Sequence, residues 1–223
     1  AFSNSAQAPA VGQLVRVLGG GFGGSARAAS ASGGRFPTRI DNVRVRVGGI
    51  DAAMLVAGEG DALALVPYGI RRDGVVAVTV QDGGDRSEEF AVNVRVLAPR
   101  LLSGVVNQNG AANGAAAPAA WGSTVSVYLT GTGPYTPALA DGQIAGAEGT
   151  RRMEAPVTAS WQVQGPVEEA GEVVYAGPVA GLVGSVGRVV VRLPRARPYG
   201  YSSIAGFLRI DGESVALPSI WVW

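Results

Sequence analysis

Apolar and polar residues alternate with a period of two over many short stretches of this chain, and no ten-residue window carries a helical stripe. The clearest stretch runs from Pro118 to Pro134. Val125, Val127 and Leu129 alternate there with Ser126, Tyr128 and Thr130, which puts the apolar side chains on one face of a strand. Gly131, Gly133 and Pro134 end it, because Pro cannot donate to a ladder. A weaker copy opens at Gly12, continues through Leu14, Val15 and Val17, and leaves through Gly19 to Gly24. Further strands are predicted over Val43–Val47, Met54–Ala57, Leu63–Val66, Val76–Val80 and Phe90–Val96. Later come strands at Trp161 and Val163, Val173–Tyr175, Gly187–Leu193, Gly206–Ile210 and Ser219–Trp223. Short strands at regular spacing with Gly-rich turns predict a sandwich or barrel.

The two halves repeat one another. Val47 with Gly48 and Gly49 corresponds to Val163 with Gln164 and Gly165. Val66-Pro67 corresponds to Leu193-Pro194, and Asp82-Gly83 to Asp211-Gly212. The expected fold is all-β, with two tandem immunoglobulin-like β-sandwiches, residues 1–98 and 99–223, parted at Ala98-Pro99-Arg100. The second carries longer loops, at 107–120 and 135–156.

Composition adjusts this picture in a few places. Hydrophobic residues make up 47% of the 223, enough for a core, while charged residues are only 16%. The formal net charge of +1 gives no electrostatic reason to expect nucleic acid as a partner. All the basic residues are Arg. Without Cys or His the chain has no disulfide, thiolate or imidazole chemistry. Apolar runs fall short of the roughly 18 residues a membrane helix needs, so no membrane insertion is expected. The first residue is Ala, not Met, which suggests a trimmed precursor.

Asn107 to Gly110, then Asn113, then the run from Pro118 to Gly142 resemble the signature of a bacterial family of unknown function. Asn4 to Ala6, the strand after Gly12, Val47 to Ala53 and Val66 to Tyr68 fit it as well. Members form paired immunoglobulin-like domains, similar to IPT/TIG domains, at the C-termini of large secreted proteins of acidobacteria and relatives. The resemblance implies a fold and a secreted, cell-surface location. It implies no catalytic residues.

Other constellations were weighed as chemistry. Gly19, Gly21 and Gly24 match the spacing of a dinucleotide fingerprint, but no apolar helical stripe follows. Asp82, Asp85, Glu88 and Glu89 gather carboxylates that could hold calcium or could simply form a solvated hairpin turn. Glu168, Glu169 and Glu172 could pair for glycoside chemistry, yet a turn before a strand explains them. Arg44, Arg46, Arg95, Arg188 and Arg192 fall on outward strand faces, where edge protection is the simpler account. Arg195 and Arg197 lie beside Tyr199 and Tyr201, an arrangement that can stack on sugars or bases. No G-x-S-x-G occurs, and no cofactor, metal site or catalytic residue is expected.

Trp221 and Trp223 share one face of the last strand, with Ile220 and Val222 on the other. A strand apolar on both faces wants cover on both. Together with Phe2, the one large side chain of the first ten residues, they form the candidate assembly interface. The expectation is a secreted, non-enzymatic structural protein that self-assembles with other copies into a filament or surface layer through its terminal segments. The alternative is a carbohydrate-binding or adhesion module that contacts surface polysaccharide.

Overall fold

The computed structural model describes residues 8–164, 167–195 and 202–223. The described chain is all-β, without a helix.

The first half builds two antiparallel sheets. In one, β1 (Leu14–Leu18) pairs with β4 (Asp61–Leu65), and β4 pairs with β3 (Met54–Gly58). In the other, β2 (Val43–Val47) pairs with β5 (Gly74–Asp82), and β5 pairs with β6 (Phe90–Val94). The short strand Ile50–Asp51 flanks β2. Alternation drives the packing. Val43, Val45 and Val47 are buried, while Arg44 and Arg46 between them are half-exposed. Gly48 and Gly49 both have positive φ, 60° and 81°, and join β2 to Ile50 by a two-residue turn that favours glycine.

The second half follows the same plan. Arg100–Leu101 pairs with β7 (Thr124–Thr130), and β7 with β10 (Gly187–Arg192). The twelve-residue β9 (Val167–Pro178) pairs with β10 from Glu172 onward. Its first residues pair instead with β8 (Val157–Gln164). Beyond β8 lie β11 (Ser203–Ile210), then β12 (Glu213–Ala216), with β13 (Ile220–Trp221) also on β11. Each half thus carries the two strand groups of an immunoglobulin-type sandwich, with β1 beside β4 and β2 beside β5 in the first, and β7 beside β10 and β8 beside β11 in the second. Val125, Val127 and Leu129 of β7 are fully buried, as their alternation predicts. Asp211 and Gly212 form the β11–β12 turn with φ of 47° and 85°.

Two stretches depart from the sequence reading. Glu168, Glu169 and Glu172 lie on β9 itself, not in a turn before it. The stretch 135–156, expected to be a loop of the second half, reaches across to the first. Phe36 N–H donates to Gly142 O at 2.9 Å, and Ile144 N–H to Gly34 O at 2.8 Å. The Asp141 carboxylate accepts the Tyr68 N–H at 2.6 Å, and Arg35 Nε donates to Asp141 O at 2.6 Å. Gly142 fits there because a Cβ would meet that of Ala53 at 2.6 Å.

The Tyr68 ring completes this junction. It lies over Gly12, and its hydroxyl donates to Gly184 O at 2.6 Å. Tyr135 meets it edge-on at 6.1 Å between centroids and also donates to Gly184 O, at 3.2 Å. Burial pushes the Tyr68 hydroxyl well above the usual phenol range and Tyr135 up to about 12, because a phenolate would be desolvated there.

Candidate interaction surface on the last strand

β13 and the two residues after it sit between two neighbours. On one side Ser203 pairs with Trp221 and Ile204 with Ile220, and Val222 N–H donates to Ser202 O at 2.9 Å. On the other side Val222 lies parallel to Ala119. Ala119 N–H donates to Trp221 O at 2.8 Å, and Trp223 N–H to Ala119 O at 3.1 Å. The Asn113 carboxamide completes this side in the manner of a peptide group. Its Oδ1 accepts Trp221 N–H at 2.7 Å, and its Nδ2 donates to Trp221 O at 2.8 Å. Asn113 is held in turn by Asn107 Oδ1 at 2.9 Å, and Asn107 Nδ2 donates to Ala117 O at 2.7 Å.

Main-chain groups of the last strand are therefore satisfied on both edges. What it offers outward is side chains. Ile220 and Val222 are buried in the core, while Trp221 is 37% and Trp223 69% exposed. The two faces divide as their alternation predicts. Phe2, the third residue of the candidate interface, lies outside the described residues. Sequence reasoning missed Asn107 and Asn113 as the clamp on this strand, although both stand in the stretch that carries the family resemblance. It also missed Tyr68 and Asp141, whose only signal was a Tyr after a strand-ending Pro and an Asp-Gly pair in a long loop.

The other constellations resolve into structure. The glycine loop is followed by the short strand Arg27–Ala28. Gly23 N–H donates to the Asp82 carboxylate at 2.8 Å, so a carboxylate occupies the place where a phosphate would need to sit. Asp82 and Asp85 pair across the hairpin, and Arg86 binds Glu89 at 3.0 Å. Among the described residues no three acidic side chains group as metal ligands. Around a cavity of about 260 Å³, the Asp82 and Asp41 carboxylates line the wall with Gly23, Ser25 and Asn42. Asp41 is engaged by Arg27 at 3.1 Å.

Outward Arg residues meet carboxylates across the strands. Arg192 binds Glu172 at 2.8 Å, Arg209 binds Glu168 at 3.0 Å, and Arg44 and Arg46 both reach Asp51. The hydrogen bond from Arg209 holds the Glu168 carboxyl below its ordinary range. Arg188 donates to Ser126 and to Glu148, and Arg95 bridges Asp73 and Glu213. Arg197, Tyr199 and Tyr201 lie outside the described residues.

No protein-family model matches the chain, and no curated protein matches it. Among solved structures it is similar to the C-terminal domain of the Streptococcus agalactiae AgI/II polypeptide BspA, at 11% identity and a TM-score of 0.22. That match covers 73% of this chain and 62% of that one. Structures named BspA_C_WT and BspA_C_mut match at 12% and 11% identity, with TM-scores of 0.22 and 0.23, covering 62% and 58% of those chains. In each case the chain spans less than two thirds of its neighbour's length, and at these scores the likeness carries no argument about function.

Proposed function

We propose that this chain is a non-enzymatic structural protein of the bacterial cell surface. It assembles with further copies of itself through its terminal segments into a filament or surface layer. Residues 1–98 and 99–223 serve as its two immunoglobulin-like units, and the family resemblance supports a secreted location. The observation that carries the reading is the last strand. Its inner side chains are core, its main chain is saturated at home, and it still presents Trp221 and Trp223 to solvent. Exposed aromatic pairs are what interfaces favour. Absence of His, Lys and Cys removes imidazole, amine and thiolate chemistry.

The test compares wild type, a variant lacking Ala1–Gln7, and Trp221→Ser/Trp223→Ser. The deletion stops at Gln7 because Ala10 is fully buried and belongs to the fold. Light scattering and negative-stain imaging at high concentration should show polymers in wild type and fewer, shorter ones in each variant. Equal monomers in all three would end the assembly reading. The adhesion reading would then lead. The same exposed Trp pair favours it, since flat aromatic faces can stack on sugar rings, and a polysaccharide-binding assay of Trp221→Ser/Trp223→Ser would examine it.

A further inference from the structure

β1 is an edge strand. It pairs with β4 and with no other strand among the described residues. Val66 N–H donates to Gln13 O, and Gly19 N–H to Gly60 O. These two bonds bracket the ladder and fix its alternation. Val15 and Val17 turn their main chain toward β4, and Leu14, Arg16 and Leu18 turn theirs outward.

The matching strand of the second half is not left so. The outer edge of β7 is covered by Arg100–Leu101 and by Val106–Asn107. Ahead of β1 the chain takes another route. Ala10 lies beside Arg95, and Arg95 N–H donates to Pro9 O at 2.9 Å, on the edge of the opposite sheet. Nothing in residues 8–10 does for β1 what residues 100–107 do for β7. Protection of the edge by charge is also weak, because its one charged residue, Arg16, is neutralised by Asp61.

We propose that β1 accepts Ala1–Gln7 of a second copy as an added strand. The proposal rests on the self-assembly reading above and names its acceptor. Seven extended residues span about 23 Å, and the five of β1 about 17 Å, so the segment is long enough. To reach β1 of its own chain, the segment would first recross from Pro9 on the opposite sheet. Sheets of a sandwich lie about 10 Å apart, so recrossing takes about three residues and leaves about four to pair. A second copy loses none. Period two then sets the faces. Phe2, Asn4 and Ala6 share one side and Ser3, Ser5 and Gln7 the other. Phe2 turned inward extends the core beside Val15 and Val17, and the serines lie on the outer face with Arg16. Main-chain bonds supply affinity, and Phe2 supplies register. Because donor and acceptor differ, the contact is head-to-tail and propagates.

The chain has no cysteine, so an engineered disulfide reads the pairing without background. Ser3→Cys and Ser5→Cys are each mixed with Arg16→Cys under mild oxidation and run on non-reducing gels. Melting curves first confirm that Arg16→Cys is folded, and Leu14→Cys replaces it if it is not. The expected result is a dimer band that requires both variants, and a ladder from the double variant Ser5→Cys/Arg16→Cys. A disulfide formed only within single chains of the double variant would overturn the proposal, since the segment then closes its own edge. Polymers by light scattering without any crosslink would also overturn it, while leaving self-assembly standing. Monomers throughout would remove both.

Discussion

The two halves solve one architectural problem differently. Both must carry the chain from one sheet of a sandwich to the other, after β2 in the first half and after β8 in the second. In the first half a break does this. Ile50–Asp51 ends on β2, Ala52 and Ala53 cross fully buried, and β3 begins in the other sheet. In the second half there is no break. β9 pairs with β8 through Gly171 and with β10 from Glu172, one strand serving two sheets. The cores differ to match. The strand β2 contributes Val45, and β8 contributes Trp161, 1% exposed, with its Nε1 donating to Arg192 O at 3.1 Å. Gly171 and Gly206 make room for that ring, since a Cβ on either would lie under 3 Å from it. Close packing permits a large side chain only where its neighbours give up volume. A common plan thus survives quite different distributions of that volume.

Truncating the two cores tests this contrast most strongly. Trp161→Ala should lower stability by about 3–5 kcal/mol and Val45→Ala by about 2 kcal/mol, read by urea unfolding. Equal losses would mean that Trp161 does not anchor its half as argued. Next in size is the junction. Tyr68→Phe removes a buried donor to Gly184 O, which Tyr135 still serves, and should lower stability by about 1 kcal/mol. If the halves are coupled there, the variant shifts a single transition, whereas two separated transitions would show that each unfolds alone.

Alkali probes the same junction. Tyr68 and Tyr135 titrate higher in the folded chain than the usual phenol value of about 10. Their contribution is complete below pH ~10 and is lost as pH rises from there through about 12, because the unfolded chain releases those protons first. The urea midpoint should therefore fall across that window in wild type, and fall less in Tyr68→Phe. The smallest effect is expected at the cross-strand pairs. Glu172→Gln should change stability by no more than about 0.5 kcal/mol, because its partnership with Arg192 is largely exposed.

Much of this fold could be read from the chain. Period-two alternation located β2, β5 and β7, whose inner residues are buried, Val76 of β5 only in part. The paired landmarks Val66-Pro67 and Leu193-Pro194 follow strands that lie beside β1 and β7, respectively. What escaped was everything set by long-range partners. Nothing local marks Asp141 as an acceptor for Tyr68, 73 residues away, or Asn113 as a clamp on Trp221, 108 residues away. The first part of β9, ahead of the predicted strand Val173–Tyr175, escaped for another reason. Glu168, Glu169, Gly171 and Glu172 look like a turn, and only their cross-strand partners, Arg209 and Arg192 among them, draw that stretch into a ladder. The exposed side chains of Trp221 and Trp223 were foreseen as a face, but not that their main chain is spoken for.

The uninterrupted β9 has a mechanical consequence. Tension entering the second half along this strand is resisted by β8 at one end and by β10 at the other, through a single covalent backbone. The two sheets then share the load in shear, many hydrogen bonds together, rather than peeling one pair at a time. In the first half Ala52 and Ala53 interrupt that path, so no single strand ties its two sheets together in this way.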